Sequence, residues 1–398
     1  MMQSDFMQTN KARLLPLAQA LLPELIALSD ALYERPELGY EEFFACEQHI
    51  ALLERHGFTV ERNCCGLPTA YAAVYDSGKP GLHVAFLAEY DALPGIGHGC
   101  GHNLLGAASL GAGILLAQML EQTGGSVTVF GTPAEETSGA KVIFAREGKF
   151  DHIDLAMLSH PTSGPWKRSG SSLALQPLQF EFFGKTAHAA SHPWDGINAL
   201  DAALVAMTAI NALREHIRPD SRVHGIIVEG GEAANIVPEY CKVQYYIRST
   251  SKSYNAILTE RIRKCAEAGA LATGCRVEFS EFEAPYDNLI TNQALMDLYD
   301  EALYALRGIH LQPADENLGS TDMGQVSQAC PAIHPYFDIA NGTPANGHSR
   351  ELAACTRTPY AYESMRDTAC AMALAALRVL QEPALYARIR AEFEAAVK

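Results

Sequence analysis

Three short apolar runs, at 82–88, 126–130 and 155–159, each stop at a string of polar residues able to do chemistry. A helical pattern at 103–122 lies between the first two. Strands alternating with helices predict a layered α/β domain around a central sheet. In such sheets ligand sites gather beyond the carboxyl ends of the strands. Upstream, Phe43, Cys46, Ile50 and Leu53 recur at helical spacing with Gly57 as a stop. A further strand at 71–75 is set off by the turn-rich segment 76–81.

Near Ser172 the texture changes. Runs at 178–183, 223–228, 243–247 and 276–282 read as strands. Leu200, Leu204, Met207 and Ile210 mark one helix between them, and Leu258, Ile262 and Cys265 a second. Four strands and two helices make a compact α+β module of the split βαβ, ferredoxin-like kind. Helix-rich pattern resumes from Asn292, with helices at 296–306 and 361–380. The 398 residues exceed what one core usually serves. The expected organisation is therefore one discontinuous α/β domain, 1–173 and 289–398, interrupted by a second at 174–288.

The formal charge of −16, without a lysine or arginine cluster, argues against nucleic acid as a partner. The apolar stretch 104–120 is short and rich in Gly, Ala and Ser, which suits a buried helix better than a membrane span. No secretory pattern opens the chain, so the ten cysteines, neighbours Cys64 and Cys65 included, read as mostly reduced and buried in a cytoplasmic protein.

Four strings carry chemistry. In the first, Glu89 to Asn103, the triplet Cys100-Gly101-His102 puts a thiol and an imidazole close together, the two ligands zinc-like ions favour. A buried cysteine beside a loop histidine would look the same. The second holds adjacent carboxylates, Glu135 and Glu136, directly after a strand. One could bind a metal while the other takes a proton from water, or the pair could simply sit at a helix start. The third ends a strand on His160, and the fourth places His348 in a glycine-containing loop. Neither histidine means much alone. Jointly, Cys100, His102, Glu136, His160 and His348 offer more ligands than one tetrahedral ion needs, which favours two ions sharing a bridge.

These strings resemble the M20 family of metallopeptidases, and within it the branch with a Cys-Gly-His motif that includes dipeptidases, aminobenzoyl-glutamate hydrolases and N-acyl amino acid hydrolases. The likeness covers nearly the whole chain. It implies a zinc-exopeptidase-like catalytic domain with an inserted lid through which two copies pair. It implies two divalent ions on Cys100, His102, Glu136, His160 and His348, with zinc as the default and manganese, cobalt or nickel as alternatives. Glu135 becomes the general base and Asp91 an orienting residue. His188, in the lid string Gly184-Lys185-Thr186-Ala187-His188, becomes an oxyanion donor reaching across the dimer, and Asn235 and Arg248 meet a substrate carboxylate. The implied reaction is cleavage of the amide bond of a small dipeptide or N-acyl amino acid. Two rivals stay open: a metal-binding or ligand-binding homologue without turnover, and a cysteine hydrolase with Cys100 as nucleophile and His102 as base. Glu89 and Asn103 depart from the aspartates that relatives often carry there.

Overall fold

The computed structural model describes residues 2–315 and 319–397. The strands in chain order are β1 (Thr59–Arg62), β2 (Tyr71–Asp76), β3 (His83–Ala88), β4 (Ser126–Gly131), β5 (Leu155–Met157) and β6 (His160–Thr162). They continue with β7 (Ala174–Phe183), β8 (Arg222–Glu229), β9 (Tyr240–Ser249), β10 (Arg276–Ser280), β11 (Ala332–Ile333) and β12 (Tyr336–Asp338). Two compact units result: one takes 172–288 with 319–321, and the other takes the chain on either side. The return of 319–321 to the inserted unit has no counterpart in the sequence pattern.

The larger unit is built on a six-stranded sheet in the order β1-β2-β4-β3-β5-β11. Strands β4, β3, β5 and β11 run parallel, and β1 and β2 are antiparallel additions at one edge. Alternate residues of β3 enter different cores. Val84, Phe86 and Ala88 join the cluster that also holds Leu25, Leu110 and Met372, while Ala85 and Leu87 join Phe144, Phe150 and Val326. A sheet buried on both faces has to read as an unbroken apolar run, as Val84 to Ala88 does.

The helix His102–Ala117 is buried along its whole length. Its small residues let it press on the sheet: a Cβ at Gly113 would come within 2.4 Å of Val129. It stops at Ala117, and a separate turn, Leu120–Thr123, follows where the sequence suggested a continuous helix to 122. Gly124 and Gly125, both at positive φ, then lead the chain into β4. A long helix, Met2–Glu34, which no sequence signal had placed, packs beside it. It is apolar and long enough to cross a membrane by composition. Leu14, Ala18, Leu21, Leu25, Leu28 and Leu32 instead form a stripe at helical spacing that is buried in the core.

The inserted unit is an antiparallel four-stranded sheet, β10-β7-β9-β8, packed against helices Ala199–Leu213 and Lys252–Thr273. Every second residue of β9, from Cys241 to Ser249, is buried, the period expected of a sheet with one covered face. Asn198 caps the first helix and Ser251 the second through side-chain oxygens. The order βαββαβ matches the split βαβ expectation. All ten cysteines are free, though Cys65, Cys100, Cys265 and Cys275 are only half-buried.

Candidate metal centre

The loop after β3 runs through Asp91 to Cys100, and Gly101 opens the following helix at φ 84. A Cβ on Gly101 would lie 2.6 Å from the ring of Pro161. Glycine is therefore required twice over between the thiol and the imidazole, for the left-handed turn and for contact with the residue after His160. Across this contact Cys100 Sγ and His160 Nε2 stand 3.4 Å apart. His160 Nδ1 donates to its neighbour Pro161's carbonyl at 2.7 Å, which leaves the Nε2 lone pair facing the sulfur.

His102 is held in the same way from behind. Its Nδ1 lies 2.8 Å from Asp91 Oδ1, so Nε2 faces inward, 3.3 Å from Glu89 Oε2. The rings of His102 and His160 meet edge to face at 5.6 Å. After β4, Ala134 adopts φ 62, and Glu135 and Glu136 follow it. The Glu136 N–H donates to the other Asp91 oxygen at 3.0 Å. His348, itself at φ 58, donates its backbone N–H to Gly99, and its Nε2 stands 3.4 Å from Glu136 Oε2.

Potential ligand atoms thus converge in three overlapping groups, each within 4.8 Å: Cys100 with His102 and His160, Cys100 with Glu136 and His348, and Glu89 with His102 and Glu135. Cys100 belongs to both of the first two. His102 Nε2, Glu136 Oε1 and Glu89 Oε2 are buried with no hydrogen-bond partner among the described residues. Burial would lower the His102 imidazole, but the charges of Cys100 and Asp91 outweigh it and raise it well above its ordinary value. This buried set therefore calls for a cation among it, either that ring proton or a metal ion in its place. Thiolate, imidazole and carboxylate together are the donors that borderline divalent metals take. The residues present fit such ions.

The electrostatics agree. Burial pushes the Cys100 thiol up to about 12, with His102 pulling the other way, so a thiolate there calls for a cation. Burial, with the His102 charge second, keeps the His160 imidazole neutral down to about 3. Burial and the charges of Glu89 and Asp322 raise Glu135 well above the carboxylate range. Burial would raise Glu89 too, but Lys141 and His102 outweigh it and hold Glu89 at about 2.

That lysine had no signal in the sequence. Fully buried Lys141 donates to Glu89 Oε1 at 2.7 Å and to Asp322 Oδ1 at 2.6 Å, making an ion triad directly behind the cluster. Nor did any sequence pattern mark His334 and Tyr336, whose rings pack against His160 at 5.7 and 5.9 Å.

The remaining three sequence candidates belong to the inserted unit. His188 is exposed in the loop after β7, and its Nδ1 accepts from the backbone N–H groups of Ala190 and Ser191 at 3.2 Å each. In a neutral ring the proton is thereby assigned to Nε2, which becomes a donor. Asn235 lies beside it, its carbonyl accepting from Ala189 N–H at 3.0 Å. Arg248, near the end of β9, donates to Ser320 Oγ at 2.9 Å and lies over the Tyr246 ring.

Comparison with known proteins narrows the class. Residues 177–273 match the M20 peptidase dimerisation domain. The chain is 38% identical to the Xaa-Arg dipeptidase of Mus musculus, over 92% of this chain and 88% of that protein. It is 36% identical to one of the p-aminobenzoyl-glutamate hydrolase polypeptides of Escherichia coli K12, over 69% of this chain and 61% of that one. Among solved structures, an aminobenzoyl-glutamate utilization protein from Klebsiella pneumoniae superposes with a TM-score of 0.72 at 22% identity, covering 91% of this chain and 98% of its own. A dinuclear metal-binding M20 peptidase from Bacillus subtilis gives 0.66 at 21%, covering 91% and 99%. These likenesses make the chain a hydrolase of the peptidase and amidohydrolase class. It belongs to the M20 family.

Proposed function

We propose that the protein is a two-metal dipeptidase or N-acyl amino acid hydrolase acting on small substrates with a free carboxylate. The observation that carries this reading is the position of Cys100, one sulfur shared by two groups of nitrogen and oxygen donors. A cysteine nucleophile would need one histidine base, not this converging set. In this reading Cys100, His102 and His160 would hold one ion and Cys100, Glu136 and His348 the other, with zinc as the metal the thiolate favours. Bound there, the pair supplies Lewis-acid polarisation and positive charge that makes nearby water more acidic.

The chain's own groups do the rest. Glu135 takes the proton of the attacking water on a carboxylate oxygen and returns it to the leaving amine nitrogen. His188, reaching across the pair from the second copy, would donate from Nε2 to the developing oxyanion. Asn235 and the planar guanidinium of Arg248 hold the substrate carboxylate. Two copies pair through the inserted unit, in line with its match to a peptidase dimerisation domain. Ten free thiols suit a reducing cytoplasm.

The likeness to the mouse enzyme makes dipeptides ending in arginine the first to assay, followed by other dipeptides and N-acyl amino acids. Purified protein is measured for metal and for cleavage with and without chelator. The expected result is about two divalent ions per chain, with cleavage lost on chelation and restored by metal. Undiminished cleavage in chelator would overturn the two-metal reading and return the thiol mechanism.

A further inference from the structure

Outside the residues assigned so far, one fully buried carboxylate grips the loop that carries Glu135. Glu42 directly precedes the helix Phe43–Arg55 and has no solvent exposure. Its Oε1 accepts the backbone N–H of Ala134 at 2.8 Å. Ala134 is in the left-handed region at φ 62, a conformation that a residue with a Cβ adopts only at a cost. Its carbonyl accepts from the N–H groups of Thr137 and Gly139, so the turn closes around it. From the other side Gly39 packs so tightly that a Cβ there would come within 2.9 Å of the Ala134 methyl. The segment from Gly39 to Glu42 is thus a clamp on one strained peptide. Two residues further on, the Glu136 N–H is fixed by Asp91. The Glu135 backbone is therefore suspended between two buried carboxylates, one on each side of it. Without the first, Ala134 can relax toward an ordinary backbone conformation, and the peptide leading into Glu135 turns with it.

We propose that Glu42 is a positioning residue for amide hydrolysis, holding Ala134 left-handed so that the Glu135 carboxylate points at the reacting water. The proposal rests on the reading of Glu135 as general base. It commits to a hydrogen-bond acceptor at this place, whether or not that acceptor is charged.

The test compares metal-loaded wild-type protein with Glu42→Met, Glu42→Asp, Glu42→Gln and Glu135→Gln. Methionine keeps the volume without an acceptor, aspartate keeps the acid but withdraws it by one methylene, and glutamine keeps an oxygen in place. Misplacing a catalytic group by about 1 Å costs on the order of 100-fold. The expected outcome for Glu42→Met and Glu42→Asp is therefore a kcat roughly 10- to 100-fold lower with KM within about twofold. Bound metal per chain should stay at the wild-type value, and Glu42→Gln should recover kcat to within about threefold. A fold-maintaining role alone would lower the folded fraction, read from melting temperature, without a rescue specific to glutamine. Should the methionine variant fail to fold, the aspartate variant carries the same prediction. Wild-type kcat in both the methionine and aspartate variants overturns the proposal, and so does a glutamine variant as impaired as they are. Undiminished turnover in Glu135→Gln overturns the base assignment instead, whatever the Glu42 variants do.

Discussion

Asp91 holds His102 with one carboxylate oxygen, 2.8 Å from Nδ1, and with its other oxygen accepts the N–H of Glu136. One buried side chain thus orients donors that arrive from the ends of two different strands, β3 and β4. The contact keeps the His102 proton on Nδ1 and leaves Nε2 for a metal. Removing such a partner typically weakens metal binding about 10- to 100-fold. Asp91→Ala should show that loss in a competition titration against a chelator, and Asp91→Asn a smaller one, because its amide still has one oxygen to offer. Unchanged affinity in the alanine variant would mean that His102 is oriented by its packing alone.

Glu135→Gln separates proton transfer from metal binding. The amide matches the carboxylate in size but cannot shuttle a proton. General-base loss costs about 100- to 10,000-fold in kcat, while metal content measured on the same sample should equal that of wild type. A variant that lost both would show that Glu135 holds an ion and that the division of labour with Glu136 is wrong.

Much of this site could be read in the sequence because the chain places it just beyond apolar strands. Cys100, His102, Glu135 and Glu136 follow β3 and β4, and His160 opens β6 just after β5, so each stands where a polar residue interrupts an apolar run. The inserted unit could be read from its short apolar runs and from helices marked by apolar residues at helical spacing. What stayed hidden depended on distant partners. Lys141, in Ala-Lys-Val-Ile-Phe, looks like a solvated helix residue until Asp322, 181 positions away, is brought against it. The first helix carries a regular apolar stripe, but Pro16 and Pro23 read as breakers, whereas both lie on its exposed side. Strands β11 and β12, two and three residues long, are too short to show any period.

The Lys141 triad makes a stability prediction. Its ammonium is fully buried between Glu89 and Asp322, so Lys141→Met leaves two carboxylates without their counter-charge. Breaking a buried ion pair from one side costs about 3–5 kcal/mol. The shift in urea midpoint at constant slope should show that loss, and adding Asp322→Asn to the same chain should recover part of it. A midpoint within error of wild type would mean that water reaches the triad and screens it.

Glu42 should make stability depend on pH in a direction unusual for a carboxylate. Burial, reinforced by the nearby Asp91 charge, lifts its carboxyl from 4.5 to about 7 in the folded protein. The unfolded chain releases that proton near the ordinary value, so between the two the native state binds more protons than the unfolded one. Stability contributed by this group is therefore present below the unfolded value and falls as pH rises toward 7, the opposite of a salt-bridged acid. Integrated over the window the loss is of order 3 kcal/mol. Glu42→Gln titrates nowhere in this range and keeps the oxygen that Ala134 requires. Urea midpoints of metal-free wild type and Glu42→Gln, taken at steps from about pH 5 to pH 8, should diverge with rising pH, the wild type losing ground. Other buried acids, Glu135 among them, titrate in both proteins and cancel in the difference. Parallel curves would show that the Glu42 carboxylate is solvated well enough to ionise as it does in the unfolded chain. The Ala134 clamp would then cost the fold nothing above neutral pH.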